Sequence, residues 1–500
     1  MSDATRHNLT MATQIIAIAA AALFVLQTAT ITDVAIGEQT PPNILLIMTD
    51  DQGRWALGAY DERIDTPNLD HLARQGVRFD QAISPVPVCS AARASLMTGR
   101  LPSQHGVHDF LSDTDGHLQN WMADEHLLSE ALQKQGYRVG LFGKWHASTE
   151  SWNPAKGFDR WLSYDSRPAG WINQYQHSGL VHFSRDGVPE TYTGVQARFL
   201  TEEAVRFIDE SKDVPFAIFL NFIEPHFPFA GLPERIVKRY RPLARDIVAA
   251  GGSSSLHRSN FTTEIVEEHE EQVAQYLAAV TLVDEQVGRI SDALEGRKLL
   301  GNTVVIFTSD HGHLTGQYGI YGKGNGSFPQ NLYQESIEIP FIIDGPAWLV
   351  RGGQIRNEFV NLYDLFPTII EASGGNIENS HYNGPGISLI PYLRGDRSIS
   401  FRTYQFAEYG NARMIHDGRW KLVRYYHKNP ETDPTDHWFD LVHPLGESRP
   451  RQPPGLERRE AFTSALEAYF SKYENDEHSG RRIWEQPAFN SNEPWRKQEP

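Results

Sequence analysis

The chain has 500 residues, 40% hydrophobic and 22% charged, enough for a large core with a smaller second unit and too apolar for a disordered chain. Its formal charge of -17, from 46 Lys and Arg against 63 Asp and Glu, argues against a nucleic-acid groove, so a polyanionic partner would be held by a few positioned cations. A single cysteine, Cys89, excludes an intramolecular disulfide framework.

In chain order, Arg6 precedes an apolar stretch from Ile15 to Leu26 that suits the h-region of an export signal and is short for a membrane span. Residues 1–35 are therefore expected to be a signal peptide or N-terminal hydrophobic segment, the protein to be exported (periplasmic or secreted), and any membrane anchoring to run through that segment alone. Apolar runs at Ile44 to Met48, Phe216 to Phe222 and Val304 to Phe307 read as buried strands, each ending in polar residues. Leu127 to Gln135, Gly194 to Glu210 and Glu264 to Leu294 read as amphipathic helices, with Gly251 to Ser255 a surface loop before the last. This is an α/β pattern: a mostly parallel central sheet flanked by helices, over residues 41–395.

Beyond Gly395 the pattern changes. Thr403 to Tyr409, Ala412 to Ile415 and Trp420 to Tyr426 read as short strands with turns at Gly410-Asn411 and Asp417-Gly418, followed by a helix near Arg458 to Tyr473. Residues 396–500 are thus expected to form a smaller C-terminal antiparallel subdomain, with a polar tail wrapping from Glu474.

In parallel sheets ligands gather at the carboxyl ends of strands, so Asp50-Asp51, Glu224 to His226 and Asp310-His311 should converge on one crevice. Adjacent buried carboxylates repel unless they share a cation. Three carboxylates and one imidazole suit Ca²⁺ or Mg²⁺ better than a thiolate zinc site, and His311 keeps a borderline metal open. Cys89 opens the run Cys89-Ser90-Ala91-Ala92-Arg93; if this stretch is helical, Arg93 shares a face with residue 89 and can neutralise an anion there. A buried, inert thiol is the commoner fate of a lone cysteine, and both readings stand at this point. Gly143-Lys144-Trp145-His146, Glu224-Pro225-His226 and Tyr321-Gly322-Lys323-Gly324 each add a cation or proton carrier, as a tetrahedral dianion requires. His105 and His108, with the aromatic-rich stretch from Trp145 to Trp171, read equally as a sugar-binding mouth or as packing.

These blocks, together with Pro42 to Thr49, Thr66-Pro67-Asn68-Leu69-Asp70, Thr98-Gly99-Arg100, Thr308-Ser309 before Asp310-His311-Gly312, and Glu335-Ser336 with Ile339-Pro340-Phe341, resemble in content and order a type I sulfatase of the alkaline-phosphatase-like superfamily. The resemblance implies that Cys89 is converted to formylglycine by a maturation enzyme, and that Ca²⁺, with Mg²⁺ as the alternative, lies between Asp50, Asp51, Asp310, His311 and residue 89. It departs from the family pattern at Ala91, where proline is commoner, and at His311, where asparagine is frequent.

Sulfate-ester cleavage then assigns roles. Arg93, Lys144 and Lys323 would hold charge on the equatorial oxygens, Asp310 would act as base, His226, alone or with Lys323, would protonate the leaving alcohol, and His146 would take the proton that lets sulfate depart. The expected substrate is a sulfated saccharide or polysaccharide. Alternatives are an aryl sulfate ester, a phosphonate monoester or phosphodiester in the same superfamily, or a catalytically silent sugar-binding role.

Overall fold

In the computed structural model, residues 40–112, 120–168, 177–260, 268–380, 382–396 and 401–497 are described; the stretch from Ile15 to Leu26, and Trp171, lie outside them. The strands of the large sheet are β1 (Asn43–Thr49), β2 (Val77–Ile83), β3 (Arg138–Gly143), β4 (Arg160–Tyr164), β5 (Ser178–Arg185), β6 (Val188–Val195), β7 (Phe216–Asn221), β8 (Thr303–Ser309), β9 (Phe341–Asp344) and β10 (Gln354–Asn361). Their spatial order is β10-β2-β9-β8-β1-β7-β3-β4-β5-β6. The central strands β8, β1, β7, β3 and β4 run parallel, while β9 is antiparallel to both neighbours and β5 and β6 form an antiparallel edge.

The runs Ile44 to Met48 and Val304 to Phe307 are apolar throughout because both faces of the sheet are covered. Ile44, Leu46 and Ile306 face one core, with Leu96 of α2 (Cys89–Thr98) and Phe366 of α7 (Leu365–Ala372); Leu45, Ile47 and Phe307 face another, with Leu200 of α4 (Gln196–Glu210) and Val287 of α6 (His269–Gly296). Helix α1 (Pro67–Gln75) joins the second core through Leu69, and α3 (Leu128–Lys134) the first through Leu132. Helix α5 (Glu234–Ala249), not anticipated because Pro242 lies within it, packs Val237 and Tyr240 against Leu277 of α6. The expected helix from Glu264 starts, among the described residues, at His269.

The C-terminal sheet is four-stranded and antiparallel: β11 (Gln405–Tyr409), β12 (Ala412–His416), β13 (Trp420–Tyr425) and β14 (Thr435–Asp440), the last unforeseen in the sequence. One face takes Phe462, Leu466 and Phe470 of α8 (Leu456–Tyr473); the other places Ala407, Tyr409 and Met414 in the core that holds Leu46. The segment after Glu474 is less polar in its contacts than in its composition, since Ile483, Phe489 and Trp495 are buried. Gly410, with φ 54, lets Trp495 approach where a Cβ would collide with its ring.

Candidate active site

Parallel pairing of β1 with β8 puts Thr49 opposite Ser309, so Asp50-Asp51 and Asp310-His311 leave the same sheet edge side by side. Asp51 turns into the left-handed region, φ 65, and its N–H donates to Asp310 Oδ1 at 3.1 Å. His311 N donates to the same oxygen at 2.9 Å, and Arg93 Nε to Asp310 Oδ2 at 3.0 Å. Three donors on one buried carboxylate hold it ionised, and the Asp310 pKa is lowered because His311 and Arg93 outweigh burial. That environment suits a cation ligand better than the base anticipated from sulfate-ester chemistry.

Cys89 is the first residue of α2 and is 2% exposed. Arg93, one turn on, pairs with Asp310 and reaches Lys144 O at 2.9 Å, with Asp50 Oδ2 3.9 Å away. Gly143 ends β3 at φ 109, where a Cβ would strike Asn221 O, and delivers Lys144 to Asp50 Oδ2, with which it forms a short ion pair. Lys323 Nζ donates to Asp51 Oδ1 at 2.6 Å and to Cys89 Sγ at 2.8 Å. His311 Nε2 lies 3.5 Å from the same sulfur and 3.3 Å from Asp51 Oδ1.

The charges are strongly coupled. Burial, then the neighbouring Asp310 and Cys89, push Asp50 up to about 7. Burial also disfavours ionised Asp51 and Cys89, but Lys323 and His226 at the first and Lys144 and Lys323 at the second overcome it and hold both well below their usual ranges. His311 is carried up to about 9 against burial, chiefly by Asp310. Asp50 Oδ1 is buried without a hydrogen-bond partner among the described residues. One ligand atom from each of Asp50, Cys89, Asp310 and His311 lies within 4.8 Å of the others, as do those of Asp50, Asp51, Cys89 and His226. The first of these sets could hold a divalent cation, to which Asp50, Asp310, His311 and residue 89 would each offer one ligand atom.

Two expected proton carriers face the same point. His146, at φ 53, places Nε2 3.0 Å from Leu111 O; burial lowers its pKa, while contact with Cys89 favours its charged form. His226 places Nε2 3.8 Å from Asp51 Oδ2 and Nδ1 2.6 Å from Phe227 O, its side chain 13% exposed. A further imidazole was not singled out: His313 Nδ1 lies 3.5 Å from Asp51 Oδ2, its ring stacked on Tyr276 at 5.2 Å. Tyr276 OH donates to Asp51 O at 2.9 Å. His313 follows His311 by two positions and so was within reach of the sequence; Tyr276 lies in the middle of a helix and carries no such signal.

The sugar-mouth reading of His105 and His108 is corrected. Both are buried, at 1% and 0% exposure. His105 Nε2 meets Ser95 Oγ at 3.0 Å, and His108 Nε2 donates to His478 O at 2.6 Å. They belong to the packing between the helix region after Cys89 and the C-terminal segment. Trp145 and Trp161 are likewise packed edge to face in the core.

Fold and site together show an alkaline-phosphatase-like architecture, with a buried cysteine at a helix start beside a cluster of carboxylates and imidazoles that could hold a metal ion. The chain belongs to the sulfatase family of hydrolases, whose profile, Sulfatase, matches residues 42–375. It is 29% identical over 347 residues to an ulvan-active sulfatase of Formosa agariphila, covering 67% of this chain and 62% of that protein. It is 30% identical over 365 residues to the N-acetylgalactosamine-6-sulfatase of Sus scrofa, covering 68% and 63%. The chain thus spans less than two thirds of the length of these relatives. A solved structure of a protein in complex with its substrate D-glucosamine-2-N,6-O-disulfate shares the fold at TM-score 0.69 and 20% identity, covering 87% of this chain and 98% of that one.

Proposed function

We propose that this protein hydrolyses sulfate esters of a carbohydrate, a sulfated saccharide or polysaccharide, using residue 89 as nucleophile. The observation that carries this reading is the position of Cys89: buried at the start of α2, 2.8 Å from Lys323 Nζ and beside the cluster of Asp50, Asp310 and His311. Such a constellation binds a tetrahedral anion and stabilises charge on it in a water-poor site. The sulfatases that act on ulvan and on N-acetylgalactosamine-6-sulfate support the carbohydrate class.

Conversion of Cys89 to formylglycine by a maturation enzyme would supply an aldehyde hydrate as nucleophile, and Ca²⁺, or Mg²⁺, held by Asp50, Asp51, Asp310, His311 and residue 89, would supply Lewis acidity beside it. The chain's own residues do the rest. Lys144, Lys323 and Arg93 orient the ester and carry its oxygen charge. His226 delivers a proton to the leaving alcohol, and His146 accepts one at residue 89 so that sulfate is released. The apolar stretch from Ile15 to Leu26 supports export.

The test is sulfate release, followed by ion chromatography, from defined sulfated saccharides, an aryl sulfate and a matched phosphonate monoester, with residue 89 verified as aldehyde by peptide mass. Release from saccharides is expected. Full activity with unmodified Cys89, or faster turnover of the phosphonate, would overturn the proposal.

A further inference from the structure

The peptide of Leu111 bridges the two sides of the reaction centre. Its N–H donates to Ser90 Oγ at 2.9 Å, next to Cys89 on α2, and its carbonyl lies 3.0 Å from His146 Nε2. A carbonyl only accepts, so His146 Nε2 must carry the proton, and in the neutral imidazole the lone pair is left on Nδ1, a buried atom without a hydrogen-bond partner among the described residues, on a ring beside Cys89. The tautomer needed for a proton acceptor is therefore chosen by the placement of one backbone oxygen.

That oxygen sits in a segment clamped from distant parts of the chain. Asp109 Oδ1 accepts from Tyr409 OH at 2.9 Å and from Phe110 N at 2.8 Å. Asn490 Nδ2 donates to Phe110 O at 2.9 Å, and Ser112 N to Phe489 O at 3.4 Å. Tyr409 comes from the small sheet and Asn490 from the terminal segment, 300 and 380 positions from their partners. The three side chains of this clamp, Asp109, Tyr409 and Asn490, are buried, as is Phe489, which contributes its carbonyl.

We propose that Asn490, Tyr409 and Asp109 are positioning residues for catalysis: through the 109–112 segment they hold the Leu111 carbonyl on His146 and so fix the tautomer and aim of the proton acceptor. The C-terminal sheet and tail thereby take part in turnover without touching substrate. The inference rests on the sulfatase reading for its kinetic consequence and on geometry alone for the tautomer.

Asn490→Asp keeps the acceptor that receives Asn492 N, at 2.7 Å, and removes the donor to Phe110. Tyr409→Phe removes only the hydroxyl. For an aryl sulfate, each variant is expected to lower kcat roughly 10- to 100-fold, the cost of a misplaced catalytic group, and to lower KM with it, so that kcat/KM is nearly kept, because only the step after alcohol release is slowed. Because His146 acts after the alcohol has left, a burst of aryl alcohol should precede the slow steady state. In parallel, ¹⁵N-histidine NMR should show the Nε2-protonated form of His146 in the parent and a mixture of tautomers in the variants. Parent-like tautomer and kinetics in both variants, or equal losses of burst and steady-state rate, would overturn the inference. A parent with the expected tautomer that releases no sulfate from any ester would instead remove the sulfatase reading and leave the structural clamp standing.

Discussion

Lys323 donates to the sulfur of Cys89 over 2.8 Å although 234 positions separate them. The same ammonium holds Asp51 at 2.6 Å, so one cation contacts both the sulfur of Cys89 and the Asp51 carboxylate. Lys323→Met is expected to lower kcat/KM by roughly 10²–10³, the loss typical of removing one donor from a developing oxyanion. Lys323→Arg should recover little, because a planar fork cannot take the place of a compact ammonium between two buried partners. Steady-state sulfate release on protein with verified residue 89 decides this; an unimpaired Met variant would remove Lys323 from the mechanism.

Cation binding should be linked to stability. Asp50, Asp51 and Asp310 are buried together, and an ion that binds the folded chain stabilises it by mass action, about 2.7 kcal/mol at a hundredfold excess over Kd. Exhaustive chelation is expected to abolish activity and lower Tm, with Ca²⁺ restoring both. Asp310→Asn and Asp51→Asn should each do harm beyond the lost ligand, since the first leaves Arg93 with only its 3.9 Å contact to Asp50 and the second leaves the buried Lys323 without its hydrogen-bonded carboxylate, a loss of up to about 3–5 kcal/mol in either case. Elemental analysis and thermal unfolding measure the two effects; a chelated enzyme with undiminished turnover would exclude the cation.

The role given to His226 predicts a dependence on leaving group. His226→Ala should slow sugar sulfates far more than activated aryl sulfates, whose alcohols leave without acid help. Equal losses across a leaving-group series would show that His226 does something other than protonate the alcohol.

His108 offers a pH test of its corrected role. Burial pushes its pKa down from 6.5 to about 3. Between those values the unfolded chain binds a proton that the folded chain does not, so stability falls as pH falls through this window. His108→Gln, which retains a donor towards His478 O, should lack that penalty. The stability gap between parent and variant should shift in favour of the variant by up to about 1.4 kcal/mol per pH unit below 6.5. Parallel Tm–pH curves would contradict this, and a raised KM for saccharides at pH 7 would return His108 to the substrate mouth.

Much of the centre was legible because strand ends announce themselves. An apolar run that stops at paired acids, as Met48-Thr49 does before Asp50-Asp51 and Thr308-Ser309 before Asp310, marks a buried parallel strand delivering polar groups to the sheet edge. The mostly parallel sheet, the helix opening at Cys89 and the cations Arg93, Lys144 and Lys323 followed from such local patterns. Edge strands such as β5 and β6 carry a weaker signal because one or both faces meet solvent, and Pro242 concealed a helix stabilised by its packing on α6.

Local pattern determined which residues this protein brings to its centre, since hydrophobic periodicity and motif spacing act over a few turns of chain. Tertiary structure alone decided what each then faces. Whether His108 meets solvent or His478, whether Asp310 is free to act as a base or saturated by three donors, and which nitrogen of His146 is protonated all depend on partners far away in sequence. Burial and hydrogen bonding are properties of the packed assembly, and they set the charge and aim of every group in the site.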